Sequence, residues 1–121
     1  MENKSQSFRD VLVWQKAHAF TLAVYRASES FPKHELFALT SQLRRSASSI
    51  PANFVEGFRK RTTPDKLKFY NFAQGSADEC LYHLILAHDL GYADTVKLQA
   101  DLEEVSRLLQ GYINGLNRDG S

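Results

Sequence analysis

Residues 40–60, TSQLRRSASSIPANFVEGFRK, decide how the chain folds, because this one segment carries helical periodicity, a proline and an unbroken polar row. Leu43, Ala47, Ile50 and Phe54 recur three or four residues apart, which places them on a single helix face. Gln42, Arg45, Ser49, Asn53, Glu56 and Lys60 repeat with the same spacing and give that helix a polar face as well. One face builds a core, and the other meets something polar.

Pro51 interrupts the pattern. It has no backbone N–H and its ring crowds the carbonyl of Ala47, a cost of about 3 kcal/mol in a helix interior. Either the helix kinks there or a new helix starts. A fresh start would place Ile50 at the N-cap, where isoleucine offers no side-chain acceptor, so capping favours a kinked, continuous helix. The small residues Ala47, Ser48, Ser49 and Ala52 let a neighbouring helix approach the kink, and the serine hydroxyls can bond freed backbone groups.

Towards the N-terminus, Asp10 offers a cap for a helix from Val11, with Val13, Ala17, Phe20, Val24 and Ala27 as its core stripe. Trp14, His18 and Tyr25 form an adjacent row, and Phe31-Pro32 ends the helix. Leu36, Leu39 and Leu43 then open the second helix. Towards the C-terminus, Thr63 as cap, Pro64 in first position and Asp65 at the positive end of the dipole start a third. Its wide apolar face takes in Phe69, Phe72, Ala73, Ser76, Cys80, Leu81, Leu84, Ile85 and Ala87. Gly75 inside it costs about 1 kcal/mol relative to alanine and points to close helix approach.

Gly91 stops the third helix and Asp94 caps the fourth, whose stripe is Leu98, Leu102, Val105, Leu109, Tyr112 or Ile113, and Leu116. No strand alternation or internal repeat is present, and short connections imply antiparallel neighbours. The expected fold is all-α: an antiparallel up-down-up-down four-helix bundle with a proline-kinked second helix. It forms one domain over residues 1–121, with a frayed N-terminus at 1–7 and a polar tail at 117–121.

A chain of 121 residues, 43% hydrophobic, buries a core without disulfides. Cys80 is the only cysteine, which suits a reducing compartment. Residues 1–10 lack the apolar core of a signal peptide, and no run approaches the roughly 20 apolar residues that cross a bilayer. A cytoplasmic location without membrane contact is therefore expected. The net charge of +1 selects no partner class, but its distribution is uneven. Arg44, Arg45, Arg59, Lys60, Arg61, Lys66 and Lys68 face only Glu56 and Asp65, whereas residues 78–104 are mainly acidic.

Enzymatic chemistry finds no foothold in the sequence. There is no Glu-x-x-His, Cys-x-x-Cys, phosphate-cradling glycine loop or nucleophile motif. Glu79 and His83, four apart, could share a metal or a proton, but a single such pair is more often a surface contact. No catalytic residue, metal ligand or cofactor is assigned.

FRDVLVWQKA at 8–17, FPKHELFALTSQLRRSASSIPANFVEGFRKR at 31–61, FYNFAQGSADECLYHL at 69–84 and LGY at 90–92 together form a specific pattern. From Phe8 to about Leu116 the chain resembles the bacterial 23S rRNA intervening-sequence proteins. Relatives of these include the accessory variability proteins of diversity-generating retroelements. The family signature falls on Trp14, Gln42, Arg44, Arg45, Ser49, Ile50, Pro51, Asn53, Glu56, Gly57, Gly75, Ser76 and Glu79. Phe54 and Val55 depart from it, where isoleucine and alanine are favoured.

The resemblance implies a four-helix bundle assembled as a ring-like homopentamer, and its retroelement relatives work with a reverse transcriptase and nucleic acid. Helices one and three carry more apolar residues than one core buries, and Trp14, Tyr25, Phe37, Leu81 and Ile85, which sit beside rather than within the main stripes, are the candidate interface residues. Gln42, Arg44, Arg45, Ser49, Asn53, Glu56 and Glu79 are expected to form a polar network fixing bundle register or joining subunits. Arg59, Lys60, Arg61, Lys66 and Lys68 form a candidate patch for the backbone of RNA or DNA. A non-enzymatic nucleic-acid-binding accessory protein is the leading reading, and a structural or protein-interaction scaffold is the alternative.

Overall fold

A computed structural model describes residues 7–120. These form α1 (Leu12–Ala27), α2 (Leu39–Arg59), α3 (Thr63–Asp89) and α4 (Val96–Gly120), with no strand among the described residues. The all-α, four-helix expectation holds. Each helix packs on its sequence neighbours, α4 also closes against α1, and α2 with α3 makes the most extensive pairing. None of the helices is long and apolar enough to cross a membrane.

Helix starts differ in detail from the expected ones. Most of the expected N-terminal fray lies outside the described residues, but Ser7 is placed. Its Oγ accepts the Arg9 amide at 3.1 Å and caps a 3-10 turn over Phe8–Asp10. Asp10 is therefore inside that turn, and extended Val11 precedes α1 without a side-chain cap. Leu36 lies in the turn after a 3-10 segment at Lys33–Glu35, so α2 begins at Leu39. Thr62, not Thr63, caps α3, its Oγ1 accepting the Asp65 amide at 3.2 Å. Gly91 takes the positive φ of 78° that ends α3, and Asp94 accepts the first amide of α4 at 3.0 Å. The backbone stays helical to Gly120, through residues read as a tail.

Helix α2 runs unbroken through Pro51, and no loop opens at residues 48–52. Proline deprives the Ala47 carbonyl of its usual intrahelical donor. The missing bond comes from α1, where the buried Thr21 hydroxyl lies 3.2 Å from the Ala47 carbonyl and 2.8 Å from that of Ala17. One proton thus serves two carbonyls, and the proline is accommodated by tertiary contact.

Val13, Ala17, Phe20 and Val24 pack with Leu43, Ala47, Ile50 and Phe54 and with the regular stripe of α4, in which Ile113 rather than Tyr112 is fully buried. The buried line on α3 is Tyr70, Ala73, Ala77, Cys80, Leu84 and Ala87, so Phe72 and Ile85 are left outside. Tyr70 stacks on Phe54 at 5.2 Å and meets Tyr112 edge-on at 5.7 Å. The two helix glycines differ. A Cβ at Gly57 would lie 2.5 Å from the Tyr70 ring, so α3 requires glycine there. Gly75 is exposed with open space above it, so close helix approach does not explain it.

Candidate nucleic-acid interface

The connection between α2 and α3 gathers the basic residues. Arg59, Arg61 and Lys68 are exposed and Lys60 is half-buried. The Lys60 ammonium sits 5.0 Å from the centre of the Phe69 ring, and that of Lys68 5.9 Å from it. Phe69 in turn meets Phe72 edge-to-face at 5.6 Å, and Phe72 is 49% exposed. Among the described residues, no carboxylate pairs with Arg59, Lys60, Arg61 or Lys68, and the ion pairs present lie elsewhere. Exposed Glu56, three residues before Arg59, and Asp65, in the first turn of α3, are the nearest acids in sequence, and neither forms an ion pair with the cluster. Such a cluster has its positive charge uncompensated and available to an anion.

Lys66 behaves differently from the rest of the expected patch. Its ammonium donates to the Phe58 carbonyl at 2.9 Å and to that of Gly57 at 3.4 Å, while burial holds its pKa below the usual lysine value. It therefore satisfies carbonyls at the negative end of α2. Sequence spacing shows that a lysine is near; it does not show that the ammonium is already bonded.

Most members of the expected polar network do not meet. Arg44 turns to α1, donating to Ser28 Oγ at 2.8 Å and the Tyr25 carbonyl at 3.3 Å, with its guanidinium 4.9 Å from the Tyr25 ring centre. Asn53 donates to the Ser49 carbonyl one turn back, at 2.9 Å. Gln42, Arg45, Glu56 and Glu79 are exposed, and no hydrogen bond or ion pair links their side chains among the described residues. Glu79 and His83 do not pair either. His83 is buried and faces Ser46, its Nδ1 lying 3.4 Å from the hydroxyl. Among the described residues, no three His, Cys, Asp or Glu side chains are grouped to hold a metal ion.

The interface candidates do not form one surface. Trp14 is half-buried, stacked on His18 at 4.8 Å and met edge-on by Phe8 at 5.1 Å. Leu81 is half-buried in a cleft that Leu102 also lines, and Ile85 is exposed. Tyr25 and Phe37 come together with Leu36, Thr40, Arg44 and Arg45 in an open groove of about 500 Å³, where Phe37 is 92% exposed.

One functional-looking contact is invisible to periodicity. Tyr92 donates to the Glu35 carboxylate at 2.7 Å, and the other oxygen of Glu35 accepts the Leu39 amide at 3.2 Å. The Tyr92 bond, followed by the Leu39 amide, holds the Glu35 pKa below the usual carboxylate value. Glu35 thereby joins the α3–α4 turn to the start of α2. The only signals for it are a glutamate four residues before a helix start and a tyrosine after Gly91.

Four packed helices, an unpaired basic connection and no metal-binding group among the described residues define a small all-α protein with a cationic, aromatic-faced surface. The chain belongs to the 23S rRNA-intervening sequence protein family, whose model matches residues 9–111. It is similar in structure to a protein of unknown function from the S23 ribosomal protein family of Bacteroides thetaiotaomicron. That likeness has a TM-score of 0.76 and 25% identity, covering 84% of this chain and 98% of the other. No curated protein matches the chain.

Proposed function

We propose that this protein is a non-enzymatic accessory factor that binds the backbone of RNA or DNA through Arg59, Lys60, Arg61 and Lys68. The carrying observation is that these cations lie unpaired on one inter-helix connection. Membership of a family described by 23S rRNA favours RNA. In this reading the bundle is up-down-up-down, bends at Pro51 and assembles into a homo-oligomer in the cytoplasm, with five copies by resemblance. Paired contacts that run in opposite senses along neighbouring helices support the antiparallel sense: Ser28 with Arg44 and Thr21 with Ala47, Ser46 with His83 and Gly57 with Tyr70, Leu84 with Thr95 and Gln74 with Gln110. Ring symmetry would repeat the basic patch on every copy and enlarge its field. A reverse transcriptase, the partner of the retroelement relatives, is the first protein partner to test.

Binding of RNA and DNA titrated against salt tests the proposal. Wild-type affinity is expected to fall linearly on a log-log plot, because each neutralised phosphate releases counterions. An Arg59→Ala, Lys60→Ala, Arg61→Ala triple variant should keep its oligomeric mass and lose about one unit of slope per phosphate contact removed. Absence of wild-type binding at low salt would refute the proposal and favour the scaffold reading. The exposed groove around Phe37 is the observation behind that second reading.

A further inference from the structure

Beyond phosphate contact, the basic patch carries features that a purely electrostatic surface does not need. Lys68 and Phe69 lie three and four residues after Asp65 and four and three before Phe72, so the four share one face of α3, and Gly75 continues it three residues later. Lysine ammoniums occupy the surroundings of Phe69, whereas half of Phe72 remains open to solvent. Helical side chains lean towards the N-terminus, so a side chain at position 75 would lean over the turn that carries Phe72. Gly75 leaves that space empty, and a Cβ there would meet nothing within 4 Å. Glycine disfavours a helix interior, and packing within this chain gives no reason for it here.

We infer that Phe72 and the bare backbone at Gly75 form a shelf on which an unpaired base stacks, while Lys60 and Lys68 hold the adjoining phosphates. The ligand class is single-stranded nucleic acid. Every base has a π-face, so stacking on an aromatic ring selects single strands over duplex without reading sequence. This inference rests on the proposed nucleic-acid function and specifies its ligand.

The test uses the full chain and four probes of about ten nucleotides: unstructured RNA, DNA of the same sequence, the corresponding duplex and an abasic strand of equal charge. Wild type is expected to bind both base-bearing single strands about fivefold to a hundredfold more tightly than the abasic strand, and more tightly than the duplex. Preference between the RNA and DNA strands identifies which source the shelf serves. Phe72→Leu keeps the apolar volume without the ring, and Gly75→Gln fills the open space with a good helix former. Both should bring the ratio of base-bearing to abasic affinity close to one, and Gly75→Gln should do so while raising Tm. Equal wild-type affinity for all probes, or an unchanged ratio in Phe72→Leu, overturns the shelf but leaves phosphate binding intact. Failure of every probe to bind overturns both readings. A change in oligomeric mass in either variant shows that another copy covers the shelf and likewise overturns it.

Discussion

A methyl group at position 57 would lie 2.5 Å and 2.8 Å from two carbons of the buried Tyr70 ring, with the Lys66 carbonyl at 3.2 Å. Neither the ring nor the backbone can move away freely, so Gly57→Ala should cost about 1–3 kcal/mol through overpacking. Urea unfolding measures this as a lower midpoint at unchanged m-value. Glu35 gives a pH signature at the same scale. Its folded pKa is lowered, so its contribution to stability is present above the unfolded carboxylate pKa and is lost as pH falls through the folded value. Tm should therefore drop as pH falls from about 6 to about 3, and Glu35→Gln should flatten that drop relative to wild type. A Tyr92→Phe variant removes the leading cause and should flatten it in part; parallel curves for all three proteins would contradict the assignment.

At the scale of elements, α2 depends on α1 for the carbonyl that Pro51 leaves free. Thr21→Val removes the hydroxyl but keeps the shape, and the unpaired Ala47 carbonyl should cost about 1–3 kcal/mol. Pro51→Ala restores an N–H to α2, so the same Thr21→Val change should cost about 1 kcal/mol less in that background. Additive effects in this double-mutant cycle would show that Thr21 does not serve the proline. The apolar spacing of Leu43, Ala47, Ile50 and Phe54 is enough to read α2, and capping chemistry is enough to keep it whole through Pro51. Thr21 is not legible as the donor, because its partner is 26 residues away. Burial of Tyr70 is not legible for a related reason. The apolar face of α3 is so wide that periodicity cannot say which edge turns inward, and Gly57 settles the choice only after the two helices are docked. Likewise, a row of basic residues is legible as a patch, whereas the bonding of Lys66 to carbonyls of α2 depends on how the connection folds back.

For the whole molecule, Tyr25, Phe37 and Ile85 are exposed and Leu81 is half-buried, and this is the apolar surface that the proposed assembly would need to cover. Light scattering coupled to size exclusion should return a multiple of the chain mass, and Phe37→Asp should shift it towards the monomer while leaving helical circular dichroism intact. A monomeric wild type at micromolar concentration would count against assembly. Cys80 adds a property of a different kind. It is wholly buried, and its thiol is pushed up to about 12, chiefly by burial, with a smaller rise from Glu79 and an opposing effect of Ser46. A thiol so enclosed reacts only when the bundle opens, so its labelling rate acts as an internal clock for unfolding. Reporter dyes can then be attached at a cysteine introduced on the surface, with the native thiol left in place and silent for as long as the fold stays closed.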